Sequence, residues 1–529
     1  MLIRVLIGVA FLVVLGVPLV LRPSTAGRGP GADAPTLIVV TPHVAQIREE
    51  FSASFSEWHR RTHGTAVRVD YRTPGGTSEI VRQLQAQFSV AIRSGHIAPD
   101  GSCRPGAIPV DLMFGGGSFD HGRLKAGEGV VVTSADGEGK PVRRNLPMSV
   151  PAGFPQERLD SWFGENSIGA ETLYDPDQHW IGTALSSFGI VYNKDVFARL
   201  GLPAPTRFED LADPRLTGWI GLADPRQSGS VTTAMDAVLS GKGWEAGWRL
   251  LREMSANTRY FTNSSTKPPL DVSQGEVAAA LAIDFYGRAQ AQALLRPGQD
   301  PDSTRVGYVD PKGAVYIDAD PISILRGGPN PELARRFVEF CLTEEAQALW
   351  QFPALANPRS ASNPAGAHGQ RMGPAVYELR RLPVRRVMYE KHGEHLIDKV
   401  DPFELASKTR PAGWRTAIGL MMGAFGIDNA HGQREAWVAL NRARGSPGFP
   451  AEALAEMEWL FYGWPTTLVN GAELEFTREN YAAIRAAWRD PASMARSAIR
   501  YTNWFRDAYR RVVELEGDAA RGARRMEAR

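Results

Sequence analysis

Apolar and polar positions repeat in a regular order along most of this chain. Residues 36–41 (TLIVVT) form a continuous apolar run of the kind buried on both faces of a sheet, and Ile47, Phe51, Phe55 and Trp58 behind it fall on one helical stripe. A second strand at 66–71 follows, then a helix from Ser78 with Ile80, Leu84, Phe88 and Ile92 at four-residue spacing, then a strand at 110–114. This β-α-β-α-β run predicts a mainly parallel sheet that receives ligands at the carboxyl ends of its strands. Thr41 and His43 sit at one such end, and the glycines 115–117 at another.

Residues 127–177 have poor periodicity and read as loops and short elements. Order returns with an apolar strand at 181–193, interrupted by Ser-Ser-Phe-Gly. The stretch 221–233 (GLADPRQSGSVTT) then reads as a buried strand, a turn and a helix opened by Ser228, Gly229 and Ser230. Hydroxyls and glycine at a helix start leave backbone N–H groups free and let an anion come close. The same residue types recur at 115–118 (GGGS) and 186–189 (SSFG). Any one of these loops is equally an ordinary N-cap or turn; their recurrence suggests several loops converging on one polar pocket. Beyond them the pattern predicts helices at 231–239 and 244–254, and a helix running into a strand that ends at Asp284. A strand at 314–318 and one helix over 331–350 follow.

Composition narrows the classes. The chain has 529 residues, 43% hydrophobic and 22% charged, with 60 Lys and Arg against 58 Asp and Glu. A formal charge of +2 with no basic run among aromatics argues against a nucleic-acid binder, so any anion site must be local. The two cysteines, Cys103 and Cys341, support neither a disulfide framework nor a cysteine-based zinc site. Cys341 lies in an apolar helical pattern and reads as a buried thiol; the pattern leaves open whether the two pair. Residues 2–21 carry Arg4, an apolar run and Pro18, followed by Ser24-Thr25-Ala26, which suits cleavage after Ala26 as a signal peptide. The run is also just long enough to remain as a membrane anchor. Either outcome places the folded body outside the cytoplasm.

Two histidine pairs, His59 with His63 and His392 with His395, have helical spacing but no evident third ligand, and no HExxH occurs. No metal site is therefore assigned. No GxSxG elbow or nucleophile–base arrangement stands out either, so no catalytic residue and no cofactor are assigned.

The chain resembles the type II periplasmic solute-binding proteins of ABC importers, in particular the branch binding ferric iron and phosphorylated or phosphonate solutes. The resemblance rests on 111–117 (DLMFGGG), 186–193 (SSFGIVYN), 208–230 (FEDLADPRLTGWIGLADPRQSGS), 282–288 (AIDFYGR) and 334–350 (ARRFVEFCLTEEAQALW). It implies an α/β fold of two lobes joined by hinge strands, with a ligand in the cleft between them and closure on binding. The implied division is a leader at 1–26, a first lobe at 36–185 returning at 314–355, and a second lobe at 186–313. The implied crossings lie near 186–192 and 314–318. The family's cleft positions fall on Thr41, His43, Gly116, Gly117, Ser186, Ser187, Ser228, Gly229, Ser230, Asp284 and Tyr286. An exported, monomeric receptor is implied, delivering a small anionic solute to a membrane permease. A ferric-ion receptor is the alternative, and an enzyme on the same bilobal fold a more distant one. Ferric-binding members use two adjacent tyrosines, and this sequence contains no Tyr-Tyr.

The resemblance ends near Pro353. Helical patterning over 376–529, with Trp414, Trp437, Trp459, Trp464, Trp488 and Trp504 spread along it, predicts an added helical subdomain packed on the first lobe. The last residues, 518–529, read as a frayed tail.

Overall fold

A computed structural model describes residues 31, 33–135, 141–296 and 299–527. The leader expected at 1–26, with its cleavage after Ala26, lies outside the described residues. Among the described residues, no helix is long and apolar enough to cross a membrane.

One mixed sheet runs through the molecule. Its main path pairs β2 (Arg68–Arg72), β1 (Thr36–Val40), β3 (Leu112–Phe114), β12 (Ile317–Leu325), β7 (Ile181–Asn193), β10 (Ala279–Ile283), β8 (Ile220–Ala223) and β9 (Thr258–Thr262), in that order. Shorter strands join it at β6 (Ser149–Val150), β11 (Val306–Val309) and β13 (Leu382–Pro383), while β4 (Val131–Ala135) with β5 (Pro141–Asn145) and β14 (Thr466–Val469) with β15 (Ala472–Glu475) form separate hairpins. β1 pairs in parallel with β2 and β3, and β8 with β9 and β10. The middle of the sheet is antiparallel, which the β-α-β reading did not foresee.

β7 explains the two lobes. Its first half, to Ser187, pairs with β12; from Phe188 onward it pairs with β10 and β11. The strand thus leaves one lobe and enters the other between those residues. The chain returns through Tyr316, whose carbonyl accepts the Phe188 N–H at 3.2 Å, into β12. The return strand is Ile317–Leu325, longer and later than the expected 314–318, because burial on both faces carries it across the first lobe. Two local expectations are corrected. The segment around Asp284 is a strand followed by a helix, Asp284–Ala293, and the single helix after Pro331 is two, Pro331–Cys341 and Glu344–Gln351, with Thr343 capping the second through Ala346 N–H.

The core separates by lobe. Leu37, Phe51, Phe55, Phe114, Phe337 and Trp350 belong to one face of the first lobe, and residues 379–384 of the later segment pack into it. The second lobe shares one continuous core with the C-terminal helices: Leu222, Trp248 and Leu281 lie in the same cluster as Phe425, Trp437, Phe461, Tyr501 and Tyr509. The helical subdomain therefore packs on the second lobe rather than the first. Its last helix runs unbroken over Pro491–Glu527, so residues 518–527 are helical instead of frayed. A stripe of Tyr501, Phe505, Tyr509 and Val512 at three- and four-residue spacing anchors it. Cys341 is buried and free, and Cys103 is also free.

Candidate functional site

β1 ends at Val40, and the chain turns over Thr41, whose hydroxyl donates to Phe114 O at 2.6 Å and accepts the His43 N–H at 3.1 Å. This fixes His43 against the end of β3. Gly115, at φ +91°, passes so close that a Cβ there would lie 2.4 Å from His43 Nε2. On the crossing strand, Ser186 faces the same region. Between them lies a residue that the pattern did not single out, Arg381, beside β13.

Arg381 is 2% exposed. Its Nη2 donates to Ser186 Oγ at 2.7 Å, its Nη1 meets His43 Nδ1 at 3.2 Å, and it forms an ion pair with Asp320 of β12. Asp320 in turn accepts the Gly116 N–H at 2.8 Å. The guanidinium packs 4.2 Å from the centre of the Phe285 ring, in the first turn of the helix after β10. One side chain thus joins His43, Gly116 and Ser186, all three from the predicted set, to the second lobe. Burial pulls Arg381 down to about 10, with Asp284 and Tyr286 opposing, so it remains charged. Burial also lowers His43 well below its usual value, with Arg381 and Arg48 adding, so the ring is neutral. Because a guanidinium only donates, His43 accepts at Nδ1 and carries its proton on Nε2. His43 Nε2 and Arg381 Nε have no partner.

Asp284 begins the second-lobe helix and is fully buried, with neither carboxylate oxygen partnered. Desolvation pushes it up to about 7, Arg288 and Arg381 pulling against Asp310. Nearby, Arg288 bonds Asp310 at 2.7 Å and Asp398 at 3.0 Å, and Arg380 also pairs with Asp398. Asp398 is held well below the carboxylate range because Arg288 and Arg380 outweigh its burial. This network ties residues 380–398 to the second lobe. Tyr286 lines an interlobe cavity of about 660 Å³ whose other walls include Val44, Phe285, Tyr377, Arg359 and Glu378. Across it, Gln292 of the second lobe donates to Glu378 at 2.7 Å, and Arg359 pairs with the same carboxylate at 2.9 Å.

The remaining predicted residues have partners within the protein. Ser187 lies 3.5 Å from the Tyr308 hydroxyl, which accepts the Gly189 N–H at 2.7 Å and donates to Ala282 O at 3.1 Å. Gly117 precedes the helix Ser118–Ala126, and Asp318 of β12 accepts the Ser118 N–H at 3.0 Å, so a carboxylate of the chain itself caps this helix. Asp318 is pushed up to about 7 by burial. Ser228 is the N-cap of Gly229–Lys242, accepting from Val231 N–H at 3.3 Å, with Ser230 Oγ 3.3 Å away. Arg415 from the C-terminal helices donates to Gly229 O and Thr233 Oγ1, and its guanidinium lies 5.0 Å from the Phe119 ring of the first lobe. Phe119, beside the glycine loop, and the serine loop thus meet around Arg415, while Gly116 of that glycine loop belongs to the group that Arg381 gathers. Arg381 and Arg415 escaped the pattern because both lie beyond the family's motifs, where an isolated arginine reads as a solvated charge.

The phosphoglycerate transport regulatory protein PgtC of Salmonella typhimurium is 25% identical over 273 residues, 49% of this chain and 66% of that protein. The iron uptake protein A1 of a Synechocystis species is 27% identical over 206 residues, 35% of this chain and 53% of that protein. The chain thus spans between half and two thirds of the length of these relatives. Among solved structures, the periplasmic binding protein AfuA of Actinobacillus pleuropneumoniae, with fructose-6-phosphate bound, aligns with a TM-score of 0.41 at 18% identity, over 59% of this chain and 81% of that one. Residues 159–367, which hold both crossing strands and the second lobe between them, match the family described as bacterial extracellular solute-binding protein.

Proposed function

We propose that the protein is an extracytoplasmic receptor that captures a small anionic solute, a phosphorylated or phosphonate compound, between its lobes and delivers it to an ABC permease. The observation that carries this reading is Arg381, a charged guanidinium buried where β7 and β12 cross, with Nε still free to donate. Both lobes contribute to its surroundings, so a ligand there would be held by both. The PgtC relative, named for phosphoglycerate transport, is consistent with an oxyanion. The missing tyrosine pair weighs against direct ferric capture.

The charge balance adds a condition. Arg288, Arg380 and Arg381 are matched by Asp310, Asp398 and Asp320, which leaves Asp284 without a cation of its own. An incoming anion is repelled by ionised Asp284 and accepted when it is protonated. Binding should therefore take up a proton and tighten as pH falls through about 7.

Titration calorimetry of the full chain with inorganic phosphate, 2-aminoethylphosphonate, sugar phosphates and ferric citrate tests both points. Anion binding weakened by about 1–3 kcal/mol in Ser186→Ala, the usual cost of a lost hydrogen bond in a charged site, supports the assignment. Tight ferric binding indifferent to that substitution, or an anion affinity that rises with pH, would sink it.

A further inference from the structure

A second buried arginine lies far from the crossing strands, under the C-terminal helices. Arg252, on the helix Trp244–Ala256 of the second lobe, is 1% exposed. Its Nη1 donates to Phe461 O at 2.7 Å and to Gly463 O at 3.1 Å, while Nε and Nη2 have no partner. The guanidinium lies 4.3 Å from the Trp464 ring centre, 5.0 Å from Phe505 and 5.1 Å from Phe425. Those rings offset part of the desolvation. They supply no acceptor for the two open donors, and a buried guanidinium without a counter-ion is uncommon.

A cavity of about 350 Å³ opens beside it, lined by Glu245, Ala246, Arg249, Arg252, Tyr462 and Trp464. That volume suits a small molecule. Arg249, which lines the cavity, packs 4.2 Å from the Tyr462 ring and pairs with Glu253 at 3.2 Å, a partly exposed pair that leaves part of its positive field to the cavity. Glu253 also accepts from the Tyr462 hydroxyl at 2.7 Å. The charge at the floor, on Arg252, forms no ion pair, and Glu245 on the wall answers it only at longer range.

We infer that this cavity is a second binding site, for a small organic monoanion whose carboxylate takes the free Nε and Nη2 of Arg252 and whose apolar part lies against Trp464 and Tyr462. A carboxylate fits better than a phosphate dianion, because Glu245 adds a negative charge to the wall. The two unpaired donors match the paired oxygens of a carboxylate. The site is independent of the interlobe cleft.

The probe is 4-bromobenzoate, titrated calorimetrically into the full chain and soaked into its crystals. Saturable binding is expected in solution, with bromine anomalous density beside Trp464. Affinity should fall about tenfold or more in Arg252→Lys and about threefold in Arg249→Gln, and stay unchanged in Ser186→Ala. Arg249 is exposed, so Arg249→Gln keeps the test alive should Arg252→Lys misfold. Density only at soaking concentration without saturation in solution overturns the inference. So does inorganic phosphate binding the site as tightly as the probe, or 4-bromobenzoate binding untouched by Arg249→Gln.

Discussion

Replacing Asp284 by asparagine should stabilise the protein at pH 8 and do so by less than half as much at pH 5. Asp284 is fully buried without a hydrogen-bond partner, and desolvation pushes its carboxyl up to about 7. In the unfolded chain the same group titrates near 3.9. Between these values the folded protein binds a proton that the unfolded chain has released. The stabilisation is complete below about pH 4 and is lost as pH rises through about 7. About three pKa units at 1.36 kcal/mol each set an upper limit of about 4 kcal/mol, which local relaxation will reduce to about 2–4 kcal/mol. Asparagine keeps the shape without the charge, so the variant recovers that amount at pH 8. Urea denaturation of both proteins at pH 5, 6, 7 and 8 gives the difference directly, and the other buried acid raised to about 7, Asp318, cancels because both proteins contain it. An equal effect of the substitution at pH 5 and pH 8 would refute a buried, unpaired Asp284.

Two further outcomes follow from the same region. Arg381→Met should cost about 3–5 kcal/mol, as is usual when one partner of a buried ion pair is removed, whereas Arg381→Met with Asp320→Asn should cost clearly less than the sum of the single changes; additive losses in a denaturant double-mutant cycle would show that the pair is not coupled. Gly115→Ala places a Cβ at positive φ 2.4 Å from His43 Nε2 and should cost at least about 1–3 kcal/mol, while Gly122→Ala, in a helix with open space around it, should be neutral or stabilising; equal melting temperatures for the two variants would contradict the close approach of Gly115 to His43.

The sequence made some parts of the molecule legible and hid others for identifiable reasons. Strand β1, the helices at Ala45–His63 and Thr77–Arg93, and the Ser228 cap are local features, set by periodicity and by one side chain bonding the next turn. The partner switch of β7 is not local: Ser187 and Phe188 are adjacent yet pair in different lobes, and nothing in their spacing says so. His43 and Ser186 could be named as candidate cleft residues through the family's motifs. Arg381 was not, because its role depends on the 13-residue strand β7 bringing Ser186 to meet a segment 195 positions later. The helix starts that read as open anion sites meet other groups of the chain. Their N–H groups exist, but Asp318 occupies one start, and Arg415 binds the carbonyl of Gly229 at the other. Such long-range partners are invisible to a reading that proceeds along the chain.

The sharing of cores across distant segments bears on how the chain is made. The first lobe lacks its central strand until Ile317–Leu325 has been synthesised, and its core also draws on Leu379, Leu382 and Val384. The second lobe, inserted between the two parts of the first, draws on residues as late as Tyr509 and Leu515. Neither core can close on a nascent chain, since each needs contacts whose loop closure spans hundreds of residues. The emerging polypeptide therefore presents uncovered apolar strands almost until its last helix is released, and needs protection from aggregation over that interval.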